Sequence, residues 1–165
     1  MNYSIVYSSM TGNTHMLADL VRETLPEADC VYFGVPAEEA LAADRLYVGF
    51  WTDKGSCDEA AAEFLKTLKN REVFLFGTAG FGGSPDYFEK IIASVKAQLD
   101  SSVTVVGSYM CQGKMPQSVR DRYESMRNSP KPIPNLDMLI ENFDRALSHP
   151  DAKDLQDLEQ ALKAL

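Results

Sequence analysis

Cysteine is scarce in this chain. It occurs three times, at positions 30, 57 and 111, an odd number with no Cys-x-x-Cys spacing. That pattern excludes a dithiol centre, a thiolate metal site and a disulfide framework, and leaves reduced thiols in a reducing compartment as the default. Histidine is scarcer still: His15 and His149 are the only two, and neither stands in register with a nucleophile or an acid. No apolar run approaches the roughly 20 residues of a membrane span, and the N-terminus lacks the basic-then-apolar pattern of a secretory signal. The expectation is a soluble cytoplasmic protein without a membrane partner. Basic charge is also short: 16 Lys and Arg against 24 Asp and Glu give a net charge of −8. Nucleic-acid backbones would be repelled over most of such a surface, whereas a basic protein partner would be met quickly and released. Neither the Gly-Lys-Ser/Thr ending of a Walker A loop nor the three spaced glycines of a dinucleotide fingerprint occurs. The sequence assigns no catalytic residue and no metal ligands.

What the chain does have is a polar loop near its start. Ser8-Ser9-Met10-Thr11-Gly12-Asn13-Thr14 follows the apolar run Ser4-Ile5-Val6-Tyr7 and precedes apolar residues at helical spacing. It reads as a strand, a tight turn and a helix start. Hydroxyls, an amide and a glycine then sit where the first helical N–H groups have no partner, which is a place to catch a phosphate. With no Lys or Arg in the loop, neutral donors and the helix dipole would meet the charge, as suits a bound cofactor's phosphate better than a transferred one. An ordinary helix cap is the plainer alternative.

At 165 residues the chain is long enough for one domain with a real core. Strands are expected at 2–7, 30–33, 45–50, 73–76 and 103–107, separated by helical patterns at 13–25, 57–69 and 88–99, with a short helix or turn at 34–44. Strand and helix alternate, which implies a parallel sheet with right-handed crossovers and helices on both faces. The last third breaks that rhythm. A stretch from Tyr109 to Asn135 holds a short helix near 117–126 and prolines at 130, 132 and 134, and a connection of that length is usually functional or mobile. Its basic set, Lys114, Arg120, Arg122, Arg127 and Lys131, is either a solvated face or a surface that orients a partner. A helix at 136–147 follows, and Leu155, Leu158, Leu162 and Leu165 make an apolar edge on a terminal helix expected to pack back on the body. The division expected is a domain over 1–148, with the insert at about 109–135, and a packed amphipathic helix over 149–165. The chain is expected to be a monomer or a weak dimer.

In an open parallel sheet, ligands bind outside the carboxyl ends of the strands where the strand order reverses. Two further loops should therefore meet the first. One is Trp51-Thr52-Asp53-Lys54-Gly55 after Phe50; the other is Thr78-Ala79-Gly80-Phe81-Gly82-Gly83. Each carries an aromatic among small residues whose backbones can approach a flat ligand.

Ser9-Met10-Thr11-Gly12-Asn13-Thr14 resembles the flavin mononucleotide (FMN) phosphate loop of flavodoxins, and the order of elements resembles that family over residues 1 to about 148. The resemblance implies an α/β, flavodoxin-like three-layer fold with a five-stranded parallel sheet of order 2-1-3-4-5, the phosphate on the first loop and the ring between the other two. By motif position Ser9, Thr11, Gly12, Asn13 and Thr14 would take the phosphate, with Met10 beside them. Phe50, Trp51, Thr52, Asp53, Lys54 and Gly55, and Thr78, Ala79, Gly80, Phe81, Gly82 and Gly83, would border the ring. Trp51 matches the first stacking aromatic; Phe81 stands where a tyrosine is usual, with Tyr87 farther on. Gly55 is the candidate for a peptide that turns its carbonyl toward the ring. Residues 54–59, 77–83 and 111–116 are most similar to a bacterial subgroup that includes the BilS proteins, associated with bilirubin reduction. The activity implied is electron transfer to a redox partner protein, a flavin or iron-sulfur reductase. An FMN-dependent reductase of a quinone or tetrapyrrole, with the insert as a lid, and a non-catalytic phosphate-binding module are the alternatives.

Overall fold

The structure is a computed structural model that describes residues 1–165 except Gly83 and Pro132. Five long parallel strands form the sheet: β1 (Tyr3–Tyr7), β2 (Cys30–Gly34), β3 (Arg45–Asp53), β5 (Glu72–Ala79) and β6 (Thr104–Gln112), in the spatial order β2-β1-β3-β5-β6. A two-residue strand, β4 (Ser56–Cys57), adds an antiparallel hairpin to β3. Helices α1 (Asn13–Thr24), α2 (Glu59–Lys66), α3 (Pro85–Lys96), α4 (Gln117–Arg127), α5 (Leu136–Ala146) and α6 (Ala152–Lys163) complete the chain. This is the α/β three-layer architecture that the resemblance implied, with its order kept by the long strands and the short β4 added to the five expected.

The central strands are apolar without alternation because both of their faces are covered. Leu46, Val48 and Phe50 of β3 join Val73 and Leu75 of β5 against α2 and α3, in a core with Phe64, Leu65, Ile91 and Val95. Tyr47, Phe74 and Phe76 face the other way, onto Leu17 and Val21 of α1 and Leu158 and Leu162 of α6. Each fully buried Leu or Phe contributes about 1.5–3 kcal/mol by transfer from water. α1 ends where Leu25 turns extended at φ −90° ahead of Pro26, the usual stop before proline.

Three strands run farther than their apolar patterns predict. β3 continues through Trp51, Thr52 and Asp53, β5 through Thr78 and Ala79, and β6 through Tyr109 to Gln112. Their polar and small residues keep the ladder because neighbours extend together: Trp51 pairs with Thr78, and Thr78 with Cys111. The long connection therefore begins after Gln112 rather than at Tyr109. The segment at 34–44 carries a single 3-10 turn at Glu38–Ala42.

The terminal helix covers the sheet. α6 starts in a capping box between Asp151 and Asp154 and buries Leu158 and Leu162 beside α1. α4 buries no residue of its own and is joined to α5 by an Arg120–Asp144 ion pair at 3.0 Å, while α5 buries Leu136, Ile140, Phe143 and Ala146. Leu158→Ala is expected to lower the free energy of unfolding by about 2–5 kcal/mol and to move the one cooperative transition seen by circular dichroism in denaturant. A separate early transition, with the main one unmoved, would contradict the place of α6 in the core.

Candidate functional site

The carboxyl ends of β1, β3, β5 and β6 converge on one cleft. After β1 the chain turns through Ser8, whose N–H donates to the Gly49 carbonyl at 3.0 Å, and reaches Gly12 at φ +89°. That left-handed conformation favours glycine. Gly12 brings no capping side chain, and Ser9 substitutes for one: its Oγ accepts from Gly12 N at 3.1 Å and from His15 N at 3.4 Å. The N–H groups of Asn13 and Thr14, in the first helical turn, have no intrahelical acceptor.

Thr14 and Asn13 lock this loop to the rest of the edge. Thr14 is fully buried; its Oγ1 donates to the Phe50 carbonyl at 3.1 Å and lies 3.4 Å from Thr78 Oγ1. Asn13 is 5% exposed and its Nδ2 donates to the Lys114 carbonyl at 2.8 Å. Thr11 Oγ1 donates to the same carbonyl at 3.3 Å. Asn13 Oδ1 is buried with no partner among the described residues. An unpaired buried acceptor costs about 1–3 kcal/mol, so it marks a place where a donor from a ligand would be accepted.

The second wall is β3 and its hairpin. Thr52 Oγ1 donates to the Thr78 carbonyl at 2.8 Å, and Lys54 and Gly55, at φ +52° and +80°, form the two-residue turn, the primed geometry that suits strand twist. Asp58 is 2% exposed and serves two ends at once: one carboxylate oxygen accepts from Trp51 N and the other from Ala61 N, both at 3.2 Å, which caps α2 and holds the half-buried Trp51 in place. The third wall is the end of β5. The Gly80 carbonyl accepts from Gln112 Nε2 and from Asn142 Nδ2, each at 3.0 Å, so α5 reaches the mouth of the cleft.

A fourth segment, part of the subgroup-like stretch 111–116 but not expected as a wall, closes the cleft. Gly113 N donates to the Ala79 carbonyl at 2.9 Å and Lys114 N to the His149 carbonyl at 3.0 Å. A Cβ on Gly113 would stand 2.4 Å from Asn13 Nδ2, so only glycine lets this backbone lie against the first loop. Met115 packs on Gly80, where a Cβ would meet its Cγ and Sδ at 2.6 Å. The only trace of this in the sequence is a glycine ahead of Lys-Met-Pro.

The free space is about 60 Å³, lined by Met10, Thr11, Asn13, Trp51, Thr52, Thr78, Ala79, Gly80 and residues 113–116. The first eight of these were expected from sequence. Ser9, Gly12 and Thr14 support the loop from behind. Phe50 is not a wall: its ring is in the core and its carbonyl is taken by Thr14. Asp53, Lys54 and Gly55 stand exposed at the hairpin tip, Phe81 is 42% exposed beyond Gly80 with Gly82 after it, and Gly83 lies outside the described residues. Tyr87 packs on Phe88, ring centres 6.1 Å apart, and burial raises its phenol pKa. A roomier groove of about 610 Å³ lies between residues 35–41 and α2, but Val35, Pro36, Leu41 and Phe64 give it an apolar lining without the donors gathered at the first loop.

The thiols near this edge are inert by environment. Burial, with Asp154 and Asp151 adding to it, pushes the Cys111 thiol far above its ordinary value, and burial raises Cys57 as well. Thiolate reactivity is lost in proportion. His15 stacks on Tyr7 at 4.9 Å, and His149 Nδ1 lies 2.6 Å from Asp154 Oδ2 in the cap of α6, so neither serves the cleft.

This loop, strand order and edge site define a flavodoxin-type protein. The flavodoxin domain family matches residues 4–163, and the chain belongs to that family. It is 44% identical over 172 residues to the flavodoxin-like domain-containing protein BilS of Clostridium symbiosum (strain WAL-14163), covering 94% of this chain and 90% of that one. With the BilS of Clostridioides difficile (strain CD3) it shares 26% identity over 170 residues, 99% of this chain and 95% of that one. Among solved structures, a short-chain flavodoxin associated with a non-canonical PDU bacterial microcompartment aligns with a TM-score of 0.52 at 16% identity, over 88% of this chain and 97% of that one. A flavoprotein in complex with FMN from Lactobacillus acidophilus NCFM aligns at 0.51 and 14%, over 74% and 98%. The cofactor class that goes with this family and fold is a flavin. No helix among the described residues is long and apolar enough to cross a membrane.

Alkylation with iodoacetamide at pH 8 is expected to modify the half-buried Cys30 first and to reach Cys57 and Cys111 only in denaturant. Rapid labelling of Cys57 or Cys111 in the native protein would contradict the inert environment.

Proposed function

We propose that the chain binds FMN in this cleft and carries electrons on it to a protein partner. The observation that carries the reading is the lining itself. It offers hydroxyls, free N–H groups and the unpaired Asn13 Oδ1, yet the only titratable residue among its described members is Lys114. Such a site binds and orients but has no carboxylate or imidazole to move a proton for a substrate.

The donor set fits a phosphate with a polar chain behind it. The cleft as a whole is narrow: about 60 Å³ against the roughly 300–1,000 Å³ of ligand pockets. Met115 on Gly80 is what narrows it, and an unbranched thioether moves at small cost. Bound FMN supplies the one- and two-electron redox chemistry. The protein's part is placement and field. Ser9 and Thr11, with the first-turn N–H groups of α1, would hold the phosphate; Trp51 would border the ring, with the exposed Phe81 beyond Gly80 as the second aromatic. Gly55, already at positive φ in an open turn, can rotate a peptide toward the ring edge.

Acidic groups crowd the Trp51 side. Asp53, Asp58, Glu59 and Glu63 line a concavity of about 540 Å³ beside it. Their field destabilises negative charge on a reduced ring and lowers the potential, with Lys54 opposing. The same field attracts a basic reductase and speeds its docking. We propose a partner that reduces bilirubin or a related tetrapyrrole; the likeness to BilS proteins supports that assignment. A second reading, an FMN-dependent reductase acting on the tetrapyrrole or a quinone itself, is favoured by one feature: Asn142 of α5 bonds Gly80 at the cleft mouth, where a lid would stand.

Trp51 is the chain's only tryptophan. Titration of apoprotein with FMN should therefore quench its emission to a stoichiometric endpoint, and the reduced holoprotein should pass electrons to a protein acceptor while showing no turnover with pyridine nucleotide and a small acceptor. Sustained turnover without a partner would favour the reductase; a colourless protein whose emission ignores FMN would reject both flavin readings.

A further inference from the structure

We infer that Lys114 is the counter-charge for the cofactor's phosphate, delivered to the first loop by the segment that follows the edge strand β6. The inference rests on the reading of the cleft as an FMN site and goes beyond it, because neutral donors alone were expected there. A phosphate dianion entering a protein of net charge −8 meets a repulsive field, and the loop 8–14 holds no cation to offset it. Among the residues that line the cleft, Lys114 is the one with a charge.

Its backbone is fixed on both sides. The N–H is spent on His149, and the carbonyl collects Thr11 Oγ1 and Asn13 Nδ2, the side chains of two expected phosphate ligands. Gly113 before it tolerates no Cβ because Asn13 is already there. The lysine is thereby rooted at the loop while its side chain is exposed and makes no ion pair with any described residue. Of the other cations in this segment, Arg120 and Arg127 pair with Glu124, Asp144 and Asp137, and neither Arg122 nor Lys131 lines the cleft. A second observation points to a ligand at the same place. Asn13, more than nine-tenths buried and among the residues that line the cleft, has an Oδ1 without a partner among the described residues, an acceptor that a hydroxyl of the ligand's chain would satisfy and its phosphate would not. First-turn N–H groups and the ammonium then form the phosphate end, and the Asn13 amide oxygen is left for a hydroxyl, suited to a phosphomonoester on a hydroxylated chain. A free ammonium reaching a phosphate makes a charge-assisted bond of the stronger kind.

The test compares FMN with riboflavin, which lacks the phosphate, on apoprotein of the wild type, K114Q and K114R, read by Trp51 quenching. K114Q should weaken FMN binding about tenfold or more, leave riboflavin binding unchanged and flatten the salt dependence seen for wild type with FMN. K114R should restore most of the affinity. Thermal melts of the three proteins should coincide, since the side chain is exposed. Equal FMN affinity in K114Q overturns the proposal, as does an equal loss for both flavins, which would mean that Lys114 only holds the segment in place. Wild type that binds neither flavin overturns the FMN reading and this inference with it, whereas wild type that binds FMN while K114Q matches it overturns this inference alone.

Discussion

A single long-range hydrogen bond joins the first loop to the final third of the chain. Asn13 Nδ2 donates to the Lys114 carbonyl at 2.8 Å across 101 residues of sequence. Without it the buried Asn13 amide would lose its donor's partner, at a cost of the order of 1–3 kcal/mol. Much else is arranged around that contact. Gly113 is glycine so that the backbone can lie there, Lys114 N is tied to the His149 carbonyl, and His149 Nδ1 reaches Asp154 Oδ2, the acceptor that also takes Asp151 N in the cap of α6. A run of hydrogen bonds therefore links the start of the last helix to the start of the first.

That link explains a division of labour in the final third. α6 covers the sheet beside α1, so the intervening α4–α5 unit is free of that duty. It carries its own ion pairs, Arg120 with Asp144 and Arg127 with Asp137, and touches the site through Asn142 and Gly80. Ion pairs of this exposed kind add little stability. What the unit adds is a surface next to the cleft.

The sheet was legible because a strand covered on both faces is written as a plain apolar run, and the runs at Ile5, Tyr47 and Phe74 alternate with helical spacing. Strand ends were not. Trp51 to Asp53, Thr78 with Ala79, and Tyr109 to Gln112 look like loop in one dimension and are held as strand only by one another. The β3–β4 hairpin was hidden for the same reason, although Lys54-Gly55 supplies its turn. In the cleft, the polar loop at Ser9–Thr14 was visible as chemistry, but sequence could not show that Thr14 and Asn13 turn their side chains inward or that Phe50 is spent on the core. Gly113–Pro116 was invisible as a wall, since its role depends on a long-range contact to Asn13 that no local pattern encodes.

The proposed carrier role rests on a flavodoxin-type site whose lining holds one cation and no carboxylate or imidazole. Its fields pull in opposite directions: acidic residues beside Trp51 resist added electrons, while Lys114 secures the anionic tail. The most direct test of this placement is a heteronuclear NMR titration of labelled apoprotein with FMN. The account predicts that the largest amide shifts fall on Met10–Thr14, Trp51–Thr52, Thr78–Gly80 and Gly113–Met115. Shifts centred on the apolar groove of Val35–Leu41 and Phe64, with the first loop unmoved, would contradict it.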